Sequence, residues 1–331
     1  MSGLARFVEK MAGVEVAVVG DLIADVYLHT RPSRLSREAP VLVVRYEREE
    51  VIPGGAANTA RNLAELGAKV HLLAEVGDDS TGARVAEMLG AAGVRTEPLH
   101  VRGDRPTVTK TRILAGDPHR TKQQLFRIDR EPPRGDVVAL DGETISRLER
   151  VDRHVQGFVV SDYDYELLSP PVIEWLCRKA ASKPVVVDSR HRLPSFVGVS
   201  VITPNEEEAE EATRRRIDGT ADALAVGRAL VDSLRVKAAL LTRGKHGMML
   251  FEPRREPLDL PVIGSGEVVD VSGAGDTVVA AFTAAWLSGA SFAEAAWISD
   301  CAASVVVMKV GASTCSKAEL TGVLERAVPP K

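Results

Sequence analysis

Short runs of β-branched and aliphatic residues alternate along this chain with longer segments whose apolar positions recur at helical spacing. The runs VEVAVVG (Val14 to Gly20), KVHLLAEVG (Lys69 to Gly77), GFVVSD (Gly157 to Asp162), PVVVDS (Pro184 to Ser189), VSVIT (Val199 to Thr203) and KAALLTR (Lys237 to Arg243) predict strands. Between them ANTARNLAEL, STGARVAEML and PPVIEWLCRKAA predict helices. Ser169 ahead of Pro170 is a helix start, and Ser291 with Glu294 forms a capping box. Strands that are apolar throughout and separated by helices imply an α/β fold: a doubly wound, mostly parallel sheet with helices on both faces. Such sheets bind ligands beyond the carboxyl ends of their strands.

Two stretches break that rhythm. PVLVVRYEREEVI (Pro40 to Ile52) and the region Val94 to Asp129 carry strand-like runs with no helix between them. VRTEPLHV, TVTKTRIL and QQLFRID alternate polar and apolar residues, as half-exposed antiparallel strands do. They predict a small β-sheet lid drawn from about 26–52 and 94–130, with DPHR (Asp117 to Arg120) as a turn inside it. No repeat or flexible linker interrupts the chain, so 1–331 reads as one domain with a lid.

Composition narrows the function. Over 331 residues, hydrophobic residues make up 45% and the net charge is −4, which gives a real core and no clustered basic surface. A general nucleic-acid or membrane-surface binder is thereby disfavoured. Cys177, Cys301 and Cys315 are scattered and form no CxxC pattern, so neither a disulfide framework nor a zinc site is expected. The N-terminus shows no signal peptide and no apolar run is long enough to span a membrane, which leads us to expect a cytoplasmic protein.

The most informative segment is EVVDVSGAGDTVVAAFTAAWLSG, Glu267 to Gly289. A β-branched run leads into a small-residue loop and then an alanine-rich helix reaching about Leu287. The amides of Gly273, Ala274 and Gly275 would open that helix, where the dipole favours negative charge. Asp276 beside them is either a helix cap or a base next to an anion hole, the pairing that phosphoryl transfer to a hydroxyl requires. A dinucleotide-binding turn fits less well. Val278 stands where its third glycine belongs, and Glu294, the acidic residue that follows, sits in another helix. Neither a GxxxxGK[ST] run nor a protein-kinase catalytic loop is present.

Five blocks, in order, resemble the PfkB carbohydrate kinases, also called ribokinase-like kinases: GDLIAD (Gly20 to Asp25), PGGAANTARNLAELGA (Pro53 to Ala68), TPNEEE (Thr203 to Glu208), TRGKHG (Thr242 to Gly247) and DVSGAGDT (Asp270 to Thr277). Within that family the chain looks most like the heptose-7-phosphate kinases, through SRLSREAPVLVV, TKTRIL, QQLFRIDRE and VVSDY. In many such proteins a nucleotidyltransferase is fused to the kinase. Here the chain ends soon after the kinase unit, so the kinase step alone is expected.

The resemblance implies a role for each matching residue. Asp276 is the base, and Gly273, Ala274 and Gly275 hold the transferred phosphoryl group. Asp25, Gly54, Gly55 and Asn58 bind sugar, although Asn58 also reads as a helix N-cap and Asp25 as a surface turn. Asn205 and Glu208 organise magnesium and phosphates through water, and they equally cap a helix. Thr242, Arg243, Gly244 and Gly247 line the nucleotide. Asp270, with Gly311 and Ser313, would help bind a monovalent cation such as potassium, as the matching position does in many relatives. Lys110 and Arg112 share a strand face and are candidates for a substrate phosphate, with Arg34 and Arg37 near another lid strand.

Some positions depart from the closest relatives: Tyr165 and Glu166 stand where a lysine and a glycine are usual, Arg190 replaces a lysine, and Asp300 replaces an asparagine near the adenine pocket. The expected reaction is ATP plus sugar phosphate giving ADP plus sugar bisphosphate, with magnesium, in a homodimer joined through the lid. The rivals are a kinase of another sugar or nucleoside, a non-catalytic sugar-binding regulator and an NAD-dependent oxidoreductase.

Overall fold

The computed structural model describes residues 3–116, 122–132, 140–264 and 268–328, so the DPHR turn lies outside the described residues. Its strands are β1 (Glu15–Gly20), β2 (Leu22–Leu35), β3 (Leu42–Gly55), β4 (Lys69–Leu73), β5 (Glu75–Gly77), β6 (His100–Arg102), β7 (Thr109–Ala115), β8 (Gln123–Arg130), β9 (Gly157–Asp162), β10 (Val185–Ser189), β11 (Val201–Ile202), β12 (Ala238–Thr242), β13 (Met248–Phe251) and β14 (Leu258–Leu260). The helices are α1 (Ala5–Lys10), α2 (Ala56–Glu65), α3 (Ser80–Ala91), α4 (Asp141–Asp152), α5 (Pro170–Lys179), α6 (Glu206–Thr213), α7 (Thr220–Leu234), α8 (Ala274–Leu287), α9 (Phe292–Val306) and α10 (Lys317–Leu324).

The main sheet runs β14-β13-β12-β11-β10-β9-β1-β4. Its strands from β4 to β12 are parallel, and β13 and β14 add an antiparallel edge. Alternate residues of each central strand feed opposite cores, as the period of two requires. Val16, Val18, Val159 and Val186 pack with α2, α8 and α9, whereas Val19, Phe158, Val160 and Val187 pack with α4, α5 and α7. Helices therefore cover both faces, and the doubly wound expectation holds. No described helix is long and apolar enough to cross a membrane.

A second sheet, β3-β2-β7-β8, stands off the main one. Its β2–β3 hairpin is long, pairing Leu22 with Gly55 at one end and Leu35 with Leu42 at the other. The stretch VRTEPLHV was expected among these strands but lies elsewhere. Glu97 and Pro98 form a turn, and His100–Arg102 pairs instead with β5. Proline lacks the N–H that a continuous ladder needs, which divides the run. The expected single strand Lys69–Gly77 is likewise split at Ala74, where β5 leaves the main sheet to meet β6. Ser169 sits at the N-cap of α5, but its hydroxyl donates to Asp141 rather than accepting a helix amide. The Ser291–Glu294 capping box forms as expected.

Candidate active site

The carboxyl ends of β9 to β12 and the start of α8 enclose a cleft of about 250 Å³, lined by residues that include Asp162, Tyr163, Asp188, Arg190, Thr203, Asn205, Glu208, Thr242 and Gly275. It opens where the parallel-sheet rule places ligands.

Asp276, in the first turn of α8, is 4% exposed. Its Oδ2 accepts from Asn58 Nδ2 at 2.9 Å, and its Oδ1 accepts from Tyr163 OH at 3.3 Å and Thr59 Oγ1 at 3.4 Å. Burial pushes this carboxyl up from 3.8 to about 7, against the opposing pull of the Asn58, Tyr163 and Thr59 donors. A group poised there can be ionised and still accept a proton near neutrality. Gly273 precedes the helix with φ +76°, and a Cβ on it would lie 2.6 Å from Asn58 Nδ2. Glycine is thus required by both the left-handed backbone and the close approach of α2. Of the three amides expected to face an anion, that of Ala274 is engaged by Val271 O at 3.2 Å.

Asp25 lies on β2, buried, not in a surface turn. A Cβ on Gly54 would run into its Oδ2, so glycine there leaves room for the carboxylate across the β2–β3 ladder. Gly55 adopts φ +57° and leads into α2, which carries Asn58 at its third position, beyond the N-cap that Gly55 itself occupies. Asn58 is accordingly not the N-cap, and its amide faces Asp276.

Lys110 and Arg112 behave differently although they share a face. Arg112 Nη1 is ion-paired with Asp25 Oδ1, and its guanidinium carbon sits 5.2 Å from the centre of the Tyr27 ring. Lys110 Nζ lies 5.5 Å and 5.9 Å from the ring centres of Tyr163 and Tyr165. Burial first, and then Arg190, hold the Lys110 ammonium below its ordinary pKa. Arg34 and Arg37 are exposed. Nine residues separate Arg34 from Asp25 along the extended β2, roughly 30 Å at the rise of a strand, so neither arginine joins this cleft from within the chain.

Asn205 and Glu208 form a complete capping box at α6: Glu208 N donates to Asn205 Oδ1 at 2.9 Å, and Asn205 N donates to Glu208 Oε2 at 2.8 Å. Burial pushes the Glu208 carboxyl up to about 7, and raises neighbouring Asp188 well above its ordinary value, with Glu208 and Asp276 adding to the rise. Crowded carboxylates of this kind suit a cation. Among the described residues no three acidic, histidine or cysteine side chains converge as a ready-made metal cluster. A divalent ion held here would have to take further ligands from phosphates and water.

Thr242 ends β12 and lines the cleft. Arg243 is buried and committed, its Nε 3.1 Å from Glu206 Oε1 and its amide bonded to Gly247 O. Gly244 and Gly247 take φ +51° and +80° in the turn between them, and a Cβ on Gly244 would meet open space. Asp270 accepts from Ser272 N at 2.8 Å and from Gly311 N at 2.9 Å. Burial alone would raise its carboxyl, but those amides and Arg112 outweigh it and hold it below the ordinary value. Ser313 bonds within its own turn, its Oγ to Val310 O at 3.0 Å.

Sequence reasoning missed several contributors. Tyr163 reaches Asp276, and its amide and that of Tyr165 donate to Asp21 Oδ2 at 2.8 Å and 3.1 Å. Asn62 Oδ1 accepts from Thr277 Oγ1 and from Cys315 N, each at 3.1 Å, tying α2 to α8 and to the C-terminal loop. Only the motif VVSDY and the length of the PGGAANTARNLAELGA block hinted at these positions. Among the departures, Tyr165 OH donates to Glu131 at 2.7 Å, and Glu166 takes a left-handed φ of 75°. Arg190 lines the cleft, and Asp300 is buried in α9 and raised to about 7 by desolvation.

Comparison with known proteins identifies the family and the fold. The family model described as pfkB family carbohydrate kinase matches residues 14–319. The chain belongs to that family. It is therefore a phosphotransferase whose acceptor is a hydroxyl group, and kinases of this family use ATP with a divalent metal ion. The bifunctional protein HldE of Paramagnetospirillum magneticum is 38% identical over 329 residues, 98% of this chain and 66% of that protein. HldE of Caulobacter vibrioides is 40% identical over 326 residues, 96% of this chain and 65% of that one. The chain thus spans just under two thirds of the length of these curated relatives. Among solved structures, Arabidopsis thaliana ribokinase complexed with ribose and ATP superposes with a TM-score of 0.75 at 22% identity, covering 94% of this chain and 99% of that one. Phosphofructokinase-2 from Escherichia coli in complex with potassium gives 0.73 at 17%, covering 95% and 99%. These likenesses show the ribokinase-like fold.

Proposed function

We propose that this kinase transfers the γ-phosphoryl group of ATP to a hydroxyl of a phosphosugar, D-glycero-D-manno-heptose 7-phosphate, giving the 1,7-bisphosphate. The observation that carries the reading is Asp276, buried and poised near neutrality between the sugar-side residues Asp25, Gly54 and Asn58 and the acid-lined cleft. In the proposed step an Asp276 oxygen takes the proton of the acceptor hydroxyl as that oxygen forms its bond to the γ-phosphorus. The bond from γ-phosphorus to the bridging oxygen breaks, and ADP leaves with the electron pair. Gly273 and Gly275, with the N-terminus of α8, stabilise charge on the transferred group. Asp25 and Asn58 hold sugar hydroxyls, and Thr242, Arg243, Gly244 and Gly247 shape the nucleotide side. Held through water at Asn205 and Glu208, magnesium would supply charge neutralisation on the phosphates. The Asp270, Gly311 and Ser313 loops are the proposed place for potassium.

The heptose reading rests on the resemblance of TKTRIL, QQLFRIDRE and VVSDY to heptose-7-phosphate kinases and on relatives named HldE. A second reading, an unphosphorylated sugar, is favoured by one observation: the Arg112 guanidinium is already paired with Asp25, so of the two candidate phosphate cations only Lys110 is left to meet a substrate phosphate. A screen of ADP release over phosphorylated and unphosphorylated sugars separates the two. Turnover confined to sugars without phosphate would overturn the first. We further propose a homodimer through the small sheet, where Leu42, Tyr46, Phe126 and Ile128 are exposed.

A further inference from the structure

The loop after β9 is held in place by hydrogen bonds to β1's end. Asp21, at the end of β1, accepts the amides of both Tyr163 and Tyr165, and its own carbonyl accepts the amide of Ala56 at the start of α2. The Tyr163 ring is thereby set between the two halves of the site. A Cβ on Gly55 would touch its Cε2 at 3.4 Å, Lys110 Nζ stands 5.5 Å from its centre, and its hydroxyl reaches Asp276 Oδ1. Asp276 and burial together raise the Tyr163 phenol well above its ordinary pKa, so the hydroxyl stays protonated and donates.

We infer that Tyr163 is a positioning residue for the base: by donating to Oδ1, its phenol holds the Asp276 carboxylate in its ionised form and turned towards the acceptor. The inference rests on the reading of Asp276 as general base. The other two donors cannot replace it. Asn58 binds the opposite oxygen, and Thr59 shares Oδ1 from the α2 side at 3.4 Å. Losing Tyr163 OH would leave Oδ1 with Thr59 alone at 3.4 Å, and the carboxylate more loosely held towards the acceptor. The ionised form would also lose a hydrogen bond, and such bonds favour the charged state. Other charged groups face the same region: Asp25 on β2, Lys110 on β7, Asp188 on β10, Arg190 just beyond β10 and Glu208 on α6. All of them persist when the phenol oxygen is removed, so the difference between wild type and Tyr163→Phe isolates that oxygen.

The test is the pH profile of kcat for Tyr163→Phe with ATP and the best acceptor found in the screen. The acid limb is expected to move up by about one pH unit, which corresponds to a loss of roughly tenfold at pH 6 that largely disappears at pH 9. The KM for ATP should stay within about twofold, because the nucleotide loop is elsewhere. Site-specific 3-fluorotyrosine at 163, a more acidic phenol and stronger donor, should move the limb the other way. A Tyr163→Phe enzyme whose loss is the same at every pH, or whose acid limb coincides with wild type, overturns the inference and leaves Tyr163 as a packing residue. Failure of the base assignment is recognised separately, by turnover that survives Asp276→Asn.

Discussion

Asp276→Asn should give an enzyme that is nearly inactive and, at alkaline pH, more stable than wild type. The replacement keeps the shape of the side chain. Its carbonyl can accept from Asn58, and its amide can turn to Thr59 and Tyr163, whose hydroxyls also accept. What disappears is a buried negative charge. The folded carboxyl keeps its proton up to about pH 7, whereas the unfolded chain releases it near 3.8. The folded state thus binds the proton more tightly, and wild-type stability falls as pH rises from about 4 through 7. That span of about 3 pH units, at ~1.4 kcal/mol each, sets an upper figure of about 4 kcal/mol. Urea melts should therefore show Asp276→Asn more stable by about 2–4 kcal/mol at pH 8, with the advantage shrinking towards pH 4. Turnover should fall by ~10²–10⁴, the usual loss on removing a general base. Equal or lower stability at pH 8 would refute the electrostatic argument. Turnover above about a tenth of wild type would refute the base.

Four other variants test particular parts of the structure. Lys110→Ala should raise the KM for a phosphosugar by roughly 10–100-fold, as expected for a lost hydrogen bond to a charged group of ~1.5–3 kcal/mol, and spare unphosphorylated sugars. Arg112→Ala, which frees Asp25, should instead weaken both kinds of acceptor; steady-state kinetics with paired substrates decides, and equal losses for Lys110→Ala would remove it from the phosphate site. Asn62→Ala strands the buried Cys315 amide, while the Thr277 hydroxyl keeps Gly273 O at 3.2 Å, and should destabilise by about 1–3 kcal/mol in denaturant melts. Phe126 and Ile128 share an exposed face of β8, so Phe126→Glu should convert a dimer to a monomer in sedimentation; a wild-type monomer at micromolar concentration would remove the interface.

Much of this molecule was legible because it is written locally. The buried strands announce themselves as runs such as GFVVSD, since a strand covered on both faces needs apolar residues at every position. The turn at Gly273 is equally local, because only glycine takes that backbone cheaply. The antiparallel edge strands β13 and β14 were not predicted, for runs of four and three residues carry too little periodicity. VRTEPLHV misled because alternation says that a segment is half-buried and not which sheet it joins.

By itself the sequence determined the alternation of strand and helix, the glycine turn at the head of α8, and the family blocks that mark the cleft. Tertiary structure alone decided which partner each polar group takes. Arg112 faces Asp25 from 87 residues away, Tyr163 meets Asp276 across 113, and Asn58 reaches it across 218. The physical reason is one of range. Backbone preference and apolar periodicity act between near neighbours, whereas a buried carboxylate's proton affinity is set by every donor, charge and missing water that the fold gathers around it.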